Sequence, residues 1–328
     1  MKRCIEIAKN GLSAAMPNPS VGAVIVYNNI IIGEGFTSKY GGNHAEVNAI
    51  NSVVNKSLLS ESTIYVSLEP CSHFGKTPPC CNLIKDSKIP NVVIGTLDSN
   101  KKVAGTGLEI LKKSGIHVIV GILEQECRES NIRFFTFHEK KRPYVILKWA
   151  ESQNGCISPL IKIEKKPVWI TNEYSRQLVH KWRSEEQAIL VGTQTVIDDN
   201  PKLDVRDWTG KNPNRIILDQ NNRIPKDSHI FDNQSETIFI SKFEIDFDQN
   251  IAKQVCDLLF EKNIQSVIIE GGTRTLQTFI DATIWDEARI FKGTVFFENG
   301  KVAPKINQRY ESKTRILDDE LLIYKNHD

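Results

Sequence analysis

The sequence has no long uninterrupted apolar run. None of its segments reaches the roughly 18–20 consecutive apolar residues that a membrane-spanning helix needs. The amino terminus, MKRCIEIAKNGLSAAM, is interrupted by Glu6, Lys9 and Asn10, so it lacks the continuous apolar stretch of a secretory signal. These two absences predict a soluble cytoplasmic protein.

A charge excess of either sign is also missing, and cysteine is scarce. Lysine and arginine number 42, and aspartate and glutamate number 40, which leaves a net charge of +2. Such a balance supplies no broad electrostatic footprint for nucleic acid or acidic lipid. The 7 cysteines are an odd number spread over 328 residues. This disfavours a disulfide framework and favours metal or redox chemistry where cysteines cluster.

The length and the composition fit two medium-sized domains. A chain of 328 residues, of which 40% are hydrophobic and 25% charged, is too long for one small module at roughly 100–200 residues per domain. Both halves alternate apolar strand-like runs with amphipathic helix-like runs, which is typical of α/β folds. The charged stretch at 137–143 ends in proline and predicts a boundary, with domains at residues 1–140 and 143–328.

Two short segments of the first half together indicate a metal site. His44 and Glu46 stand two residues apart at a predicted helix start, and Cys71, Cys80 and Cys81 follow a predicted strand. One imidazole and two thiolates fill three corners of a zinc tetrahedron and leave the fourth for water, as in catalytic sites. Water on such a metal ionises near neutral pH, and a carboxylate beside it can carry the proton to a departing amine. Glu46 is the candidate carboxylate.

Each of these residues also has an ordinary structural interpretation. His44 and Glu46 alone are more often a helix-cap pair, and a single cysteine is usually a small buried hydrophobic residue. Cys80 and Cys81 compete for the third ligand position, and His73 is a further possible ligand. Their combined order is typical of zinc-dependent nucleobase deaminases, in which His-x-Glu is followed by Pro-Cys-x-x-Cys. The chain departs from that pattern, because eight residues rather than two separate Cys71 from Cys80.

The long cysteine spacing leads to a specific resemblance. The stretches HAEVNAI and EPCSHFGKTPPCC, with PNPSVG near the start, resemble the deaminase half of the bifunctional riboflavin-biosynthesis deaminase/reductase family. The resemblance implies a cytidine-deaminase-like three-layer domain. By it, the zinc ligands are His44, Cys71 and Cys80, the catalytic residue is Glu46, and the deaminase substrate contacts Asn18, His73 and Lys76. Cys81 would then be a core residue.

A glycine pair marks the second half of the chain. A predicted strand leads into Glu270, Gly271 and Gly272 and then into a predicted helix, and glycines there let backbone amides approach phosphate oxygens. A tight turn is the simpler interpretation, and the Gly-x-Gly-x-x-Gly spacing of an ordinary dinucleotide-binding fold is lacking. However, LKWA, WIT, GTQTV, DDNP and LDVR occur in the order seen in the reductase half of the same family. This implies a dihydrofolate-reductase-like fold.

The resemblance also implies the binding residues and the activities. The NADPH site would be lined by Ala150, Trp169, Thr195, Asp199, Gly271, Gly272 and Thr273. The ribose phosphate substrate would be held by Arg183, Leu203, Arg206 and Glu270, and two arginines on one phosphate make bidentate chemical sense. Lys148 is a candidate electrostatic or proton-relay residue. The implied reactions are zinc-dependent hydrolytic deamination of a 2,5-diamino-6-ribosylamino-pyrimidinone phosphate and NADPH-dependent reduction of its ribosyl group to ribityl. The family resemblance also implies a homo-oligomer.

Three departures from the family pattern bear on the second half. Asn154 stands where the family commonly has aspartate, Pro167 where it has serine, and Gln220 follows Asp219 in place of serine. They leave the preference for NADPH over NADH open. Three alternatives stay open: a deaminase with a degenerate reductase domain, a tRNA or nucleoside deaminase with an unrelated second half, and a binding protein with structural zinc, which these departures favour.

Overall fold

The structure, a computed structural model, describes residues 1–74, 78–99, 105–162 and 164–327. The chain separates into two units, Met1–Lys141 and Arg142–Asp328, and each unit has its own hydrophobic core. The elements of the first unit are α1 (Lys2–Ala8), a 3-10 helix (Lys9–Gly11), α2 (Leu12–Ala15), β1 (Gly22–Tyr27), β2 (Ile30–Phe36), α3 (Ala45–Ser52), a 3-10 helix (Lys56–Glu61), β3 (Thr63–Leu68), α4 (Cys80–Asp86), β4 (Asn91–Thr96), α5 (Thr106–Lys113), β5 (His117–Val120), α6 (Glu124–Ser130) and α7 (Ile132–Lys140).

The first unit is a three-layer α/β/α domain. Its sheet has the strand order β2-β1-β3-β4-β5, in which β3, β4 and β5 are parallel and β1 is antiparallel to both of its neighbours. Strand β4 is almost entirely buried, as expected of an apolar parallel strand covered on both faces. Helices α1 and α6 pack on one side of the sheet, and α3, α4 and α5 form the other layer. The predicted three-layer fold is confirmed.

Two glycines of β2 let α3 lie directly on the sheet. A side-chain Cβ at Gly35 would come within 2.5 Å of the carbonyl oxygen of Ala45, and one at Gly33 within 2.6 Å of the carbonyl oxygen of Ala49. Glycine normally weakens a strand, which is why the sequence pattern gives no clear strand here. The close approach fixes the start of α3, where His44 and Glu46 lie.

The second unit is built on an eight-stranded sheet. Its strand order is β10-β9-β8-β11-β6-β12-β15-β14, and β7 and β13 form a separate two-stranded ribbon. The elements are β6 (Tyr144–Glu151), β7 (Cys156–Pro159), α8 (Glu173–Glu185), β8 (Ala188–Gly192), α9 (Thr193–Asp199), β9 (Asn214–Leu218), a 3-10 helix (His229–Phe231), β10 (Thr237–Ile240), α10 (Ile251–Glu261), β11 (Ser266–Ile269), α11 (Thr273–Asp281), β12 (Glu287–Lys292), β13 (Gly300–Val302), β14 (Ser312–Ile316) and β15 (Asp319–Lys325).

Side-chain caps determine where two of the longer helices begin. The side-chain oxygen of Asn172 accepts a hydrogen bond from the backbone N–H of Ser175 at 3.0 Å at the start of α8. Asn250 accepts one from Lys253 at 3.1 Å at the start of α10. Each cap satisfies a backbone donor that has no partner within the helix.

The connections of the second sheet reverse direction between β8 and β11. These neighbours are parallel, with Leu190 opposite Ile269. The chain leaves β8 through α9 toward β9 on one side, and leaves β11 through α11 toward β12 on the other. In open α/β sheets such a reversal opens a crevice beyond the carboxyl ends of the strands, where ligands bind. Gly192 and Glu270–Gly272 lie at this crevice.

The stretch at 137–143 is less irregular than the sequence suggests. Helix α7 continues to Lys140, and β6 begins at Tyr144, because Phe134, Phe135 and Phe137 are all buried on α7. In the described part of the chain, no helix is both long and apolar enough to cross a membrane.

Candidate functional site

Three predicted ligands of the first unit come together at the starts of two helices. His44 is the residue before α3, and Cys80 is the first residue of α4, while Cys71 lies in the loop after β3. The Nδ1 atom of His44 is 3.5 Å from the Sγ atom of Cys71 and 3.4 Å from that of Cys80. All three ligand atoms lie within 4.8 Å of one another. Tetrahedral zinc with bonds of roughly 2.0–2.3 Å holds such atoms about 3.5 Å apart.

The neighbouring candidates point elsewhere. The thiol of Cys81 lies 3.2 Å from the carbonyl oxygen of Pro70, because consecutive residues of a helix project about 100° apart. Burial raises the pKa of the Cys81 thiol to about 12, as expected of a core cysteine. His73 is exposed in the loop after Cys71 and is not a member of the ligand group among the described residues.

The contacts within the ligand group lower the pKa of one thiol and raise the pKa of the nearby carboxyl. The hydrogen bond from Cys80 and the nearby His44 lower the pKa of Cys71 to about 4, although burial opposes this. The same hydrogen bond raises the pKa of Cys80. Glu46, in the first turn of α3, is 4% exposed. Burial and then the charge of Cys71 raise the pKa of Glu46 to about 7, so this carboxyl can take up and release a proton near neutral pH.

Glu69 organises the loops beside the ligand group, and the sequence analysis missed it. Its carboxylate is buried and accepts four backbone hydrogen bonds, from Asp98 and Gly105 on one oxygen and from Gly107 and Leu108 on the other, at 3.0–3.2 Å. These bonds join the segment before Cys71 to both sides of the connection between β4 and α5. The only signal in the sequence is a charged residue directly after an apolar strand.

The predicted deaminase-substrate residues are less well fixed by contacts. Asn18 is partly buried in the loop between α2 and β1, and its backbone N–H donates to Ala15 at 2.9 Å. Asn131 holds the same loop by accepting from the backbone of Ser20 at 2.9 Å. No hydrogen bond joins Asn18 to the ligand group in the described part of the unit. Lys76 lies outside the described residues.

The second unit contains a buried charge cluster at the carboxyl ends of β6 and β11. Arg183 of α8 donates two hydrogen bonds to the carboxylate of Glu270, at 2.9 and 2.8 Å. Lys148 lies 3.6 Å from the same carboxylate. Burial alone would raise the pKa of Glu270, but the charges of Arg183 and Lys148 and the hydrogen bonds from Arg183 lower it to about 2. Burial lowers the pKa of Lys148.

The predicted substrate residues Arg183 and Arg206 meet at one residue of the loop between α9 and β9. Arg183 donates to the backbone oxygen of Asp204 at 3.1 Å, and Arg206 donates to the Asp204 carboxylate at 2.8 Å. Leu203 is 3% exposed and adopts a left-handed backbone conformation with φ of 53°. It packs into the core cluster of α9 and β8. The side chain of Leu203 thus anchors this loop on the core, its predicted contact with the substrate stays a prediction, and Arg183 also bonds Glu270.

The predicted cofactor residues divide into two groups. At the crevice, Gly272 has a φ of 57°, and the Oγ1 atom of Thr195 is the nearest atom to a Cβ built on it, at 3.5 Å. Gly271 has no room for a side chain, because a Cβ would lie 2.5 Å from the Cα atom of Val191. Thr273 begins α11 and donates to the backbone of Val302 in the ribbon at 2.7 Å.

The other predicted cofactor residues lie in surrounding segments. Asp199 at the end of α9 forms an ion pair with Lys162. Trp169 is 52% exposed, and the guanidinium carbon of Arg176 lies 4.8 Å from the centre of its ring. Ala150 packs against the small cluster of Cys156, Ile170 and Phe297.

The departure at Asn154 has a structural explanation. Its side-chain amide donates to the backbone oxygen of Phe297 at 2.7 Å, and its side-chain oxygen lies 3.3 Å from the backbone nitrogen of the same residue. Asn154 therefore ties the start of the β7–β13 ribbon to the chain before β13. Nothing in the structure explains Pro167 or Gln220.

Comparisons with known proteins agree with the two-domain fold. Residues 1–96 match the family described as the cytidine and deoxycytidylate deaminase zinc-binding region, and residues 143–310 match the RibD C-terminal domain. The chain is 38% identical over 322 residues to the riboflavin biosynthesis protein RibD of Aquifex aeolicus, covering 93% of this chain and 86% of the relative. It is 39% identical over 305 residues to RibD of Chlamydia pneumoniae, with 85% and 79% covered.

Solved structures are similar over almost the whole length. A diaminohydroxyphosphoribosylaminopyrimidine deaminase/5-amino-6-(5-phosphoribosylamino)uracil reductase from Thermotoga maritima has a TM-score of 0.88 and 36% identity, covering 99% of this chain and 97% of the other. Acinetobacter baumannii RibD has a TM-score of 0.87 and 30% identity, with the same coverage.

Fold, ligand group and matches define a two-domain enzyme that joins a cytidine-deaminase-type zinc-binding domain to a dihydrofolate-reductase-like reductase domain. The chain belongs to the family of bifunctional RibD proteins, the deaminase/reductase enzymes of riboflavin biosynthesis. The family and the fold predicted from the sequence are confirmed.

Proposed function

We propose that residues 1–140 deaminate a 2,5-diamino-6-ribosylamino-pyrimidinone phosphate and that residues 143–328 reduce the ribosyl group of the product with NADPH. The observation that carries the first part is the His44–Cys71–Cys80 group with the buried Glu46 beside it. The proposal includes a cytoplasmic location, a homo-oligomeric state, and small-molecule substrates without nucleic-acid or membrane partners.

The ligand group fits zinc by its chemistry as well as by its distances. Two sulfurs and one imidazole nitrogen are the donors that zinc prefers, and three protein ligands leave a position for water or substrate. Zinc in this site would supply an activated water molecule as nucleophile. Glu46 would take the proton of that water and deliver it to the departing ammonia, a role that its burial directly beside the ligand group supports.

The substrate residues of the deaminase are proposed from their chemistry and neighbourhood. Asn18 offers both a donor and an acceptor for the edge of a pyrimidine ring. His73 is exposed next to Cys71, where it can reach a bound substrate, and Lys76 is a candidate partner for its phosphate. Glu69 fixes the loops on the other side of Cys71.

NADPH is proposed to bind at the crevice between β8 and β11. The positive φ of Gly272 and the close approach at Gly271 let the backbone at the start of α11 come near a pyrophosphate. Thr195 and Thr273 stand at the same crevice, and Ala150, Trp169 and Asp199 would line it further out. The cofactor supplies the hydride, while the protein orients it and excludes water.

The reductase substrate is proposed to lie over the charge cluster. Arg206 is 42% exposed at its side chain and can bind a phosphate, with Arg183 behind it and Leu203 shaping the loop. Glu270 can accept hydrogen bonds from ribose hydroxyls, and Lys148 can stabilise charge or relay a proton at the reacting carbon.

One experiment separates this proposal from its alternatives. Purified protein is incubated with the pyrimidine ribose phosphate, with and without NADPH, while ammonia and NADPH absorbance are followed. We expect ammonia in both cases and NADPH oxidation only when deaminated product is present. Ammonia without NADPH oxidation would indicate a degenerate reductase domain. Bound zinc without either reaction would indicate a structural site, and turnover of cytidine or tRNA instead would indicate another deaminase.

A further inference from the structure

His180 connects α8 to the loop that carries Arg206, and neither the sequence motifs nor the proposed mechanism uses it. It is 3% exposed, and its Nδ1 atom lies 3.0 Å from the backbone oxygen of Asp204. Arg183, three residues later on the same side of the helix, donates to that same oxygen at 3.1 Å. Two side chains of one helix thus hold a single carbonyl group of the loop.

The other ring nitrogen of His180 faces the next part of the loop. Its Nε2 atom lies 3.2 Å from a carboxylate oxygen of Asp207. Arg206 stands between the two carboxylates, 2.8 Å from Asp204 and 3.9 Å from Asp207. The position of the Arg206 guanidinium therefore depends on two acidic residues that His180 holds in place.

These contacts distinguish the charge states of the imidazole. The backbone N–H of Arg206 also lies 3.4 Å from Nδ1 of His180, so a neutral imidazole protonated on Nε2 donates to Asp207 and accepts from Arg206. The imidazolium instead donates from both nitrogens, to the carbonyl of Asp204 and to the carboxylate of Asp207. In the site without ligand, burial and the charges of Arg183 and Arg206 lower the pKa of His180, while Asp207 and the carbonyl of Asp204 act in the opposite direction.

An anionic ligand would change this balance. The charged groups that face His180 are Arg183 from α8, Asp204, Arg206 and Asp207 from the loop, and Glu270 from the end of β11. A phosphate on Arg206 offsets the positive charge that opposes protonation, so binding and proton uptake favour each other.

We propose that His180 is a positioning residue of the reductase site, which holds the Leu203–Asp207 loop and takes up a proton when a phosphorylated substrate binds to Arg206. The proton comes from the solvent, and no covalent bond changes. This inference rests on the proposed reductase function.

Calorimetry tests the proposal on the full-length, zinc-loaded protein. The deaminated pyrimidine ribose phosphate is titrated in the absence of NADPH, at pH 7, in two buffers with different ionisation enthalpies, which gives the protons taken up per ligand bound. We expect the wild-type protein to take up a substantial fraction of a proton more than His180→Gln. The phosphate of the ligand titrates near pH 6 and contributes about equally to both proteins. The matched control is His117→Gln, an exposed residue of β5 in the other unit, which should behave as wild type.

Steady-state kinetics give the second readout. His180→Gln should raise the KM for the substrate about tenfold, as the loss of a charge-assisted contact would, and change kcat by less than about twofold. The KM of the wild-type protein should rise more steeply with pH between about 6 and 8 than that of the variant. Should His180→Gln fail to fold, Asp207→Asn, at an exposed carboxylate, must show reduced proton uptake.

The outcomes separate the inference from the function on which it rests. If wild-type protein neither binds nor reduces the substrate, the proposed function is wrong and the inference falls with it. If the wild-type protein is active and Arg206→Ala raises KM, while His180→Gln or Asp207→Asn leaves KM and proton uptake unchanged, the inference alone is wrong.

Discussion

At the scale of single residues, the first unit separates neighbouring side chains into different roles. Cys80 and Cys81 are adjacent in sequence, yet one thiol faces His44 and the other faces the carbonyl of Pro70. Glu46 is buried beside the same group with a raised pKa. Histidine and cysteine form a potential metal site here, with glutamate beside it, because the starts of α3 and α4 and the loop after β3 bring them together.

Replacing Glu46 with glutamine removes the proposed proton carrier while keeping the size of the side chain. We expect the rate of ammonia release to fall roughly 100- to 10,000-fold, whereas the zinc content measured by metal analysis stays at the wild-type value. Glu61→Gln, at an exposed position of the same unit, serves as the control. A variant that deaminates at the parental rate would show that Glu46 is not the proton carrier.

The cysteine pair allows a matched comparison of two serine variants. Cys80→Ser should lose most of the bound zinc, because only His44 and Cys71 remain as strong ligands. Cys81→Ser should keep its zinc and its deaminase activity, with a small decrease in melting temperature from the change in the core. Metal analysis of the two purified proteins decides the assignment, and equal zinc loss in both would contradict it.

Some residues of the two candidate sites could be recognised from the sequence, and others could not. The proximity of His44, Cys71 and Cys80 could be anticipated because their types and order are rare in combination, while their role as ligands and that of Glu46 stay predictions. Glu69 and His180 were not, since a charged residue after a strand and a histidine on an amphipathic helix are common features whose partners are distant in sequence. Leu203 is buried and packs into the core of the second unit, and its predicted contact with the substrate stays a prediction.

At the scale of elements, the predicted alternation of apolar strands and amphipathic helices is present in both units, whereas segments rich in glycine or charge are harder to recognise in the sequence. The glycines of β2 make this strand hard to recognise in the sequence, because these positions must be small where α3 packs against the strand. Lys140 and Lys141 suggest a loop, although the buried phenylalanines before them continue α7 to Lys140. Where another element packs closely, tertiary contacts rather than local composition therefore determine the secondary structure.

The β7–β13 ribbon offers a test at this scale. Asn154→Asp removes the donor to the backbone oxygen of Phe297 and places a negative charge beside it. We expect a loss of about 1–3 kcal/mol in the free energy of unfolding of the second unit, measured by urea denaturation. Asn55→Asp is the control, because the side chain there only accepts a hydrogen bond from Ser57, which aspartate can also do. Equal free energies of unfolding for the two variants would contradict a stabilising hydrogen bond between Asn154 and the backbone of Phe297.

At the scale of the whole molecule, the two halves have separate cores and separate chemistry. The ligand group lies entirely in residues 44–80 of the first unit, and the charge cluster of Lys148, Arg183 and Glu270 lies entirely in the second. This division was visible in the sequence, because two sets of motifs follow one another without interleaving.

Metal removal should therefore affect one reaction only. After chelation and dialysis, we expect ammonia release to stop, while the oxidation of NADPH with already deaminated substrate continues within about twofold of its original rate. Adding zinc back should restore ammonia release. Loss of both reactions, with the fold of the second unit unchanged by circular dichroism, would mean that the two activities depend on each other.

The ligand group joins the start of α3, the loop after β3 and the start of α4, and a backbone hydrogen bond from Cys81 to Cys71 at 3.2 Å also links the last two segments. An ion at that position would act as a cross-link, and the free energy by which it stabilises the native state would grow with the logarithm of its affinity. The stabilisation should be largest in the three segments that the ion joins. In hydrogen–deuterium exchange, removal of the ion should accelerate exchange at the backbone amide of Cys80, which lies 3.3 Å from the Cys71 sulfur, while the central strands β3 and β4 keep their slow exchange.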